Sequence, residues 1–182
     1  MNLSAALTLS AFLFFGSSGE KPRISELEVA LDGRRVEASF ELQNAFSEEL
    51  FERIQTGLAS GFTFQFVLTR DQKLWFENRL ASSTLEVTAM YNAVTREYLV
   101  NYKQDGKLID SRIALDREEL EQAMTHFSDL FLFQLDAVKP DKRLSVRARA
   151  ELGSKTTLLI IPTRVKTDWT RSTRFVPAAT QP

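Results

Sequence analysis

Side chains able to carry chemistry are few in this chain, and they are scattered. His126 is the only histidine, with Asp129 three residues beyond it on what reads as the same helix. A metal centre or a nucleophilic triad needs further partners at set positions. No second histidine and no cysteine exists to supply them. The ordinary reading of His126 is therefore a helix-surface or edge position. Glu37, Glu41 and Glu86 are the carboxylates from which a general acid–base pair could be drawn, and such work needs a shifted pKa in a pocket. All three fall at alternating polar positions of strand-like stretches, where a solvated face is the default. Arg143, Arg147 and Arg149 form a basic line near the end of the chain. Arg147 and Arg149 sit two apart and point the same way on a strand, toward Glu37 and Glu41 across the sheet or toward an anionic partner such as lipid headgroups. The best-placed binding candidate is the closing "DWTRSTRF". There Trp169, Arg171, Arg174 and Phe175 set aromatic rings in a basic context suited to a protein partner or a membrane surface. Against it stands the plainer reading, a final strand whose aromatics pack back on the fold. No residue is assigned to catalysis, to a cofactor or to a metal.

The elements that must position these residues are those of one ordinary domain. The chain has 182 residues, 43% hydrophobic and 26% charged, enough to bury a sizeable core. A net charge of −1 leaves no electrostatic footprint for nucleic acid. Fourteen Phe against three Tyr and two Trp point to an aromatic-rich core. The lack of cysteine removes a disulfide framework, thiol catalysis, thiolate metal sites and a lipidated N-terminal Cys.

The opening "MNLSAALTLSAFLFFGSSGE" has no charged side chain before Glu20. Its apolar run is too short for a membrane helix, which needs about 20 residues, and no integral membrane span is expected elsewhere. It fits the apolar region of a signal peptide, about 7–15 residues followed by small ones. Ser17 and Gly19 suit the small positions, so residues 1–19 read as a signal peptide cut near Glu20. No Lys or Arg precedes the run, so either the terminal amine supplies the positive charge or the start lies further upstream.

From residue 20 to 176 the pattern is mainly β, and 177–182 reads as a disordered tail. "LEVALDGRRVEASFEL" holds an Asp-Gly step that predicts a two-residue hairpin loop over Asp32 and Gly33. That loop sets Val29 opposite Val36 and Leu27 opposite Ala38, with Phe40 and Leu42 on the same face. Ser47 is a natural helix cap, Phe46 and Phe51 form a hydrophobic staple, and Leu50, Ile54 and Leu58 line one helix face. In "GFTFQFVLTR", Phe62, Phe64, Phe66 and Leu68 share one side of a strand, and Thr63, Gln65 and Thr69 the other. A three-strand meander follows. A turn over Ala93 to Arg96 pairs Tyr91 with Tyr98 and Val87 with Tyr102. An Asp105-Gly106 hairpin pairs Tyr102 with Ile109 and Tyr98 with Ile113, burying both isoleucines. Asp116 and Glu119 make a capping box, Leu115 and Leu120 a second staple, and Leu120, Ala123, Met124 and Phe127 a buried helix stripe. "RLSVRARAEL" turns Leu144, Val146, Ala148, Ala150 and Leu152 inward. Hairpins rather than crossover helices join the strands. That predicts an antiparallel β-sandwich or open barrel, all-β to α+β, with two short covering helices.

Three stretches, "ELQNAFSEELFERIQTGLASGFTFQFVL", "LEVTAMYNAVTREYLVNY" and "DWTRSTRF", carry a likeness over residues 24 to 175. In them the chain resembles an uncharacterised bacterial family, domain of unknown function number 4390. The resemblance brings no functional residues. It implies a secreted or envelope protein, in some cases encoded beside a sensor histidine kinase of the nitrogen-regulation type. The expectation is thus a non-enzymatic, exported binding or accessory domain of the periplasm or envelope, acting with an envelope protein such as a sensor kinase. A carrier of a small apolar ligand in a Phe-lined cavity is the alternative, and a hydrolase of unrecognised type the second.

Overall fold

Alternating apolar residues and tight Gly-containing turns build nearly all of the architecture. The computed structural model describes residues 20–70, 78–135, 143–155 and 163–177. The signal peptide expected over 1–19, the apolar run 157–161 with Pro162, and tail residues 178–182 lie outside the described residues. Pro177, assigned to the tail from sequence, is buried. In chain order the elements are β1 (Arg23–Asp32), β2 (Arg35–Gln43), α1 (Glu48–Gln55), β3 (Ser60–Arg70), β4 (Asn78–Asn92) and β5 (Glu97–Gln104). Then come β6 (Lys107–Ala114), α2 (Arg117–Thr125), β7 (His126–Gln134), β8 (Leu144–Lys155), β9 (Thr163–Lys166) and β10 (Thr170–Arg171).

The smaller sheet has the order β1-β2-β7, and the larger β10-β8-β3-β4-β5-β6, with β9 also paired to β8. Strand pairs are antiparallel throughout the described residues. The two sheets face each other as an open sandwich, the antiparallel β-sandwich with two short helices that the alternation predicts. Phe40 of β2 meets Phe64 and Phe66 of β3 edge-on at centroid distances of 5.3 and 5.5 Å, and stacks on Phe127 of β7 at 4.7 Å. Val36, Phe40, Leu42, Phe62, Phe64, Phe66, Tyr98 and Val146 are all buried, as their alternation requires. Both helices start as their sequences dictate: Ser47 Oγ accepts from the Leu50 N–H, and Asp116 Oδ1 accepts from the Glu119 N–H.

Several registers differ from expectation, each for a local reason. The first hairpin loop is Gly33-Arg34, because Asp32 pairs with Arg35 and Val29 with Ala38. Of the two central residues only Gly33 has positive φ, +59°, the pattern of a II′ turn with glycine first. The face assignment survives, since a shift of one residue on each strand preserves parity. Around Asp105-Gly106 the loop is as expected, with φ of 49° and 80°. A bulge between Tyr102 and Lys103 of β5 then gives β6 one extra residue, so Tyr102 faces Asp110 and Tyr98 faces Ala114. A one-residue slip turns every later side chain over. Ile109 and Ile113, expected inside, are exposed, and Ala114 takes the buried place. Leu115 is exposed and makes no staple with buried Leu120. Leu58 lies past the end of α1 and is exposed, while Gly57, at φ +81°, ends the helix. Thr69 is buried, its hydroxyl bonded to Ser145.

The two turn glycines provide a direct check. Replacing either Gly33 or Gly106 with alanine should destabilise the fold by roughly 1 kcal/mol, because L side chains disfavour positive φ. No atom lies near enough to either position to clash with a new Cβ, so the cost is conformational. Chemical denaturation should show both losses; two neutral substitutions would refute the turn assignments.

Candidate functional site

β8 lies in the larger sheet between β3 and the short strands β9 and β10, with its arginines turned to the outer face. The closing segment runs back along it, and its small polar residues explain how. The Thr167 N–H donates to Ala150 O at 2.9 Å, and Thr167 Oγ1 accepts from the Ala150 N–H at 2.9 Å. Ser172 repeats the pattern at Val146: its N–H donates to Val146 O at 2.9 Å, and its Oγ accepts from the Val146 N–H at 3.0 Å. Phe175 exchanges main-chain bonds with Leu144 at 2.8 and 2.9 Å. Thr170 reaches the other sheet, its hydroxyl donating to Ile24 O at 2.9 Å. Side-chain hydroxyls thus stand in for a missing strand partner and satisfy buried backbone groups of β8.

Held between the two rivets, Trp169 lies on the outer face, half-buried. The Arg149 guanidinium sits 4.6 Å from its ring centroid and that of Arg147 5.0 Å, within cation–π range. Arg149 is fixed from its far side by Gln65 Oε1, at 2.9 and 2.7 Å. Gln65 Nε2 in turn donates to Glu151 Oε1 at 2.9 Å, and Lys166 Nζ lies 2.6 Å from the same oxygen. The buried Glu151 carboxylate is therefore satisfied, as a charge at that depth must be. The result is a half-buried aromatic ring with two guanidinium groups packed against it.

The four candidate residues divide between two environments. Trp169, Arg171 and Arg174 lie at least partly exposed, Arg171 directly opposite Arg147 in the β10–β8 pair. Phe175 is half-buried and packs against the core. Arg147 and Arg149 do not meet Glu37 and Glu41. Those carboxylates belong to β2 of the other sheet, where Arg35 lies 3.1 Å from Glu37. His126 is not on a helix but opens β7, opposite Glu41. Its Nε2 lies 3.5 Å from Glu41 Oε1, and its Nδ1 is 2.9 Å from Thr125 Oγ1. Asp129 is turned away in a left-handed kink, its N–H donating to Ser39 Oγ. Glu86 sits exposed on β4, in the larger sheet. The structure thus brings together His126 and Glu41, and neither Asp129 nor Glu86 joins them.

Phe64 and Phe66 are packed by the rings of Phe40 and Phe127. A separate open cleft of about 700 Å³ lies by the first turn of α1, lined by Lys21, Glu49, Arg53, Phe62 and Glu86 among others. Burial pushes the Tyr102 phenol up, with nearby Arg112 opposing. Its hydroxyl donates to Ala123 O at 2.7 Å, tying α2 to β5. The buried Glu151 and its partners were missed from sequence, because polar alternation alone places Gln65 and Glu151 on a solvated face. The available signal was Lys166, at the end of a strand that could fold back on β8 and set it opposite Glu151.

Comparison with known proteins adds one result. The family model described as Domain of unknown function (DUF4390) matches residues 19–175, and the chain belongs to that family. No curated protein and no solved structure matches it. Among the described residues no helix is long and apolar enough to cross a membrane.

Proposed function

We propose that this member of the DUF4390 family is an exported, non-enzymatic binding domain of the bacterial periplasm or envelope, docking a protein partner through the face that carries Trp169. One observation carries the reading: the indole is held half-exposed against the guanidiniums of Arg147 and Arg149 on a segment pinned to β8. A pre-positioned tryptophan flanked by arginines is the composition of an interface anchor, and ordering it in advance lowers the entropy cost of binding. Arg171 and Arg174 act at the rim. The apolar, uncharged start of the chain supports export. The family resemblance supplies the partner to try first, the extracytoplasmic part of a sensor kinase.

The test is Trp169→Ala. The variant should keep its fold, since the ring is not part of the core, yet lose at least about 30-fold in affinity for the extracytoplasmic part of the kinase. Raising salt should weaken wild-type binding by screening the arginines. Full affinity in the alanine variant would discard this face as the site. Mass spectrometry of the protein recovered from the envelope should find a first residue near Glu20; soluble protein retaining Met1 would overturn the export reading.

A further inference from the structure

β6 ends the larger sheet, and among the described residues no strand pairs with its outer side. It is an unusual edge. All of its residues except Ala114 are exposed, and they include Leu108, Ile109 and Ile113, the last 61% exposed, with Leu115 just beyond at 64%. On the outer face, Met90 of β4 pairs with Leu99 of β5, and Leu99 with Ile113, forming an apolar row that runs out to the edge. Soluble proteins normally protect such edges.

The sequence of this edge is chemically palindromic. Reading Ile109-Asp110-Ser111-Arg112-Ile113 outward from Ser111 gives unlike charges and then like aliphatics. We propose that β6 pairs antiparallel with β6 of a second copy about a two-fold axis at Ser111, joining two larger sheets edge to edge. In that register Asp110 lies opposite Arg112 of the second copy, twice by symmetry.

Backbone geometry allows this register. The Ser111 N–H donates to Asp110 Oδ1 at 2.8 Å, so this amide faces the open edge and can exchange bonds with Ser111 of the second copy. Asp110 and Arg112 then form the intervening pairs, whose side chains approach most closely. Charge excludes the neighbouring registers. Centring on Asp110 sets carboxylate against carboxylate, and centring on Arg112 sets guanidinium against guanidinium, both destabilising. In the single chain Arg112 Nε lies 2.9 Å from Asp110 Oδ2, so each charge already has a local partner to exchange for its counterpart. An isologous interface of this kind closes at the dimer.

Light scattering and sedimentation of the purified chain, across roughly 1 to 100 µM, test this. The wild type should double its mass within that range. Asp110→Arg leaves two arginines on the edge and Arg112→Asp leaves two aspartates. Each variant alone should dissociate at least about tenfold more readily. Mixed in equal amounts they should re-form a dimer, because arginine now faces aspartate in both pairs. The double exchange Asp110→Arg/Arg112→Asp should dimerise alone. Circular dichroism should show every variant folded, and recovery on mixing excludes simple unfolding as the cause of dissociation. A wild type that stays monomeric overturns the proposal and leaves the edge to a strand of another protein. A dimer insensitive to both exchanges, or two variants that do not recover on mixing, equally overturns it.

Discussion

Phe64→Ala should lower the stability of the fold by about 3–5 kcal/mol, the cost of removing a fully buried aromatic ring that its neighbours cannot replace. The ring lies mid-strand in β3 and has no exposed surface. Phe40 meets it edge-on at 5.3 Å and Phe127 at 5.1 Å, both from the opposite sheet. Phe62 and Phe66 flank it on its own strand at 6.4 and 6.5 Å. Four rings thus converge on one, and truncation removes a central contact between the two sheets. Strand backbones on both sides of β3 are fixed by long ladders to β4 and β8, so the cavity cannot collapse far. For a domain of ordinary stability, about 5–15 kcal/mol, the loss is a large fraction of the total. Urea denaturation should show an earlier midpoint, with a melting temperature lower by on the order of 10 °C. A loss under about 1 kcal/mol would mean that the ring borders solvent or a ligand space instead.

Of the three hairpins predicted, only β4–β5 had its pairing legible in the sequence; for β1–β2 the faces were legible but not the pairs, and the reasons are local. The turn over Ala93 to Arg96 set the β4–β5 register correctly, Tyr91 opposite Tyr98 and Val87 opposite Tyr102. Asp105-Gly106 likewise gave the right loop. What it could not announce was the bulge three residues into β6, where no glycine or proline marks the extra residue. That slip exposed Ile109 and Ile113 and created the apolar edge. β7 is not legible in the sequence because it follows α2 without a linker: His126 is both the residue after the helix and the first of the strand. Its alternation is also broken by Asp129 in a left-handed conformation. At the candidate site the aromatic and basic composition was readable from "DWTRSTRF", but its anchoring was not. Thr167 and Ser172 bond to residues 17 and 26 positions away, and no local pattern encodes a hydroxyl that replaces a strand.

Gly61→Ala should be almost as damaging as the loss of Phe64, although alanine is the smallest possible change. Gly61 stands at the start of β3, between Thr88 of β4 and Gly153 of β8. Its φ is not positive, so the requirement here is room rather than an unusual conformation. A Cβ at this position would lie 1.9 Å from the carbonyl oxygen of Val87, 2.9 Å from its carbonyl carbon and 3.0 Å from Thr88 Cα. All three are main-chain atoms of a strand paired along most of its length to β3 and β5, so no side chain can rotate aside. Relief requires β3 and β4 to part at this end, which sacrifices ladder bonds and disturbs Phe62, whose buried ring faces Val87 and Leu152 across the sheet. The expected cost is about 3 kcal/mol, at the upper end for overpacking. Gly153 supplies the control. Its Cβ would meet only Gly61 O, at 3.3 Å, a contact that a shift of a few tenths of an ångström relieves. Gly153→Ala should therefore cost less than about 1 kcal/mol. Equal losses at the two glycines, measured by urea denaturation, would show that the close approach of β3 to Val87 is not what the fold depends on.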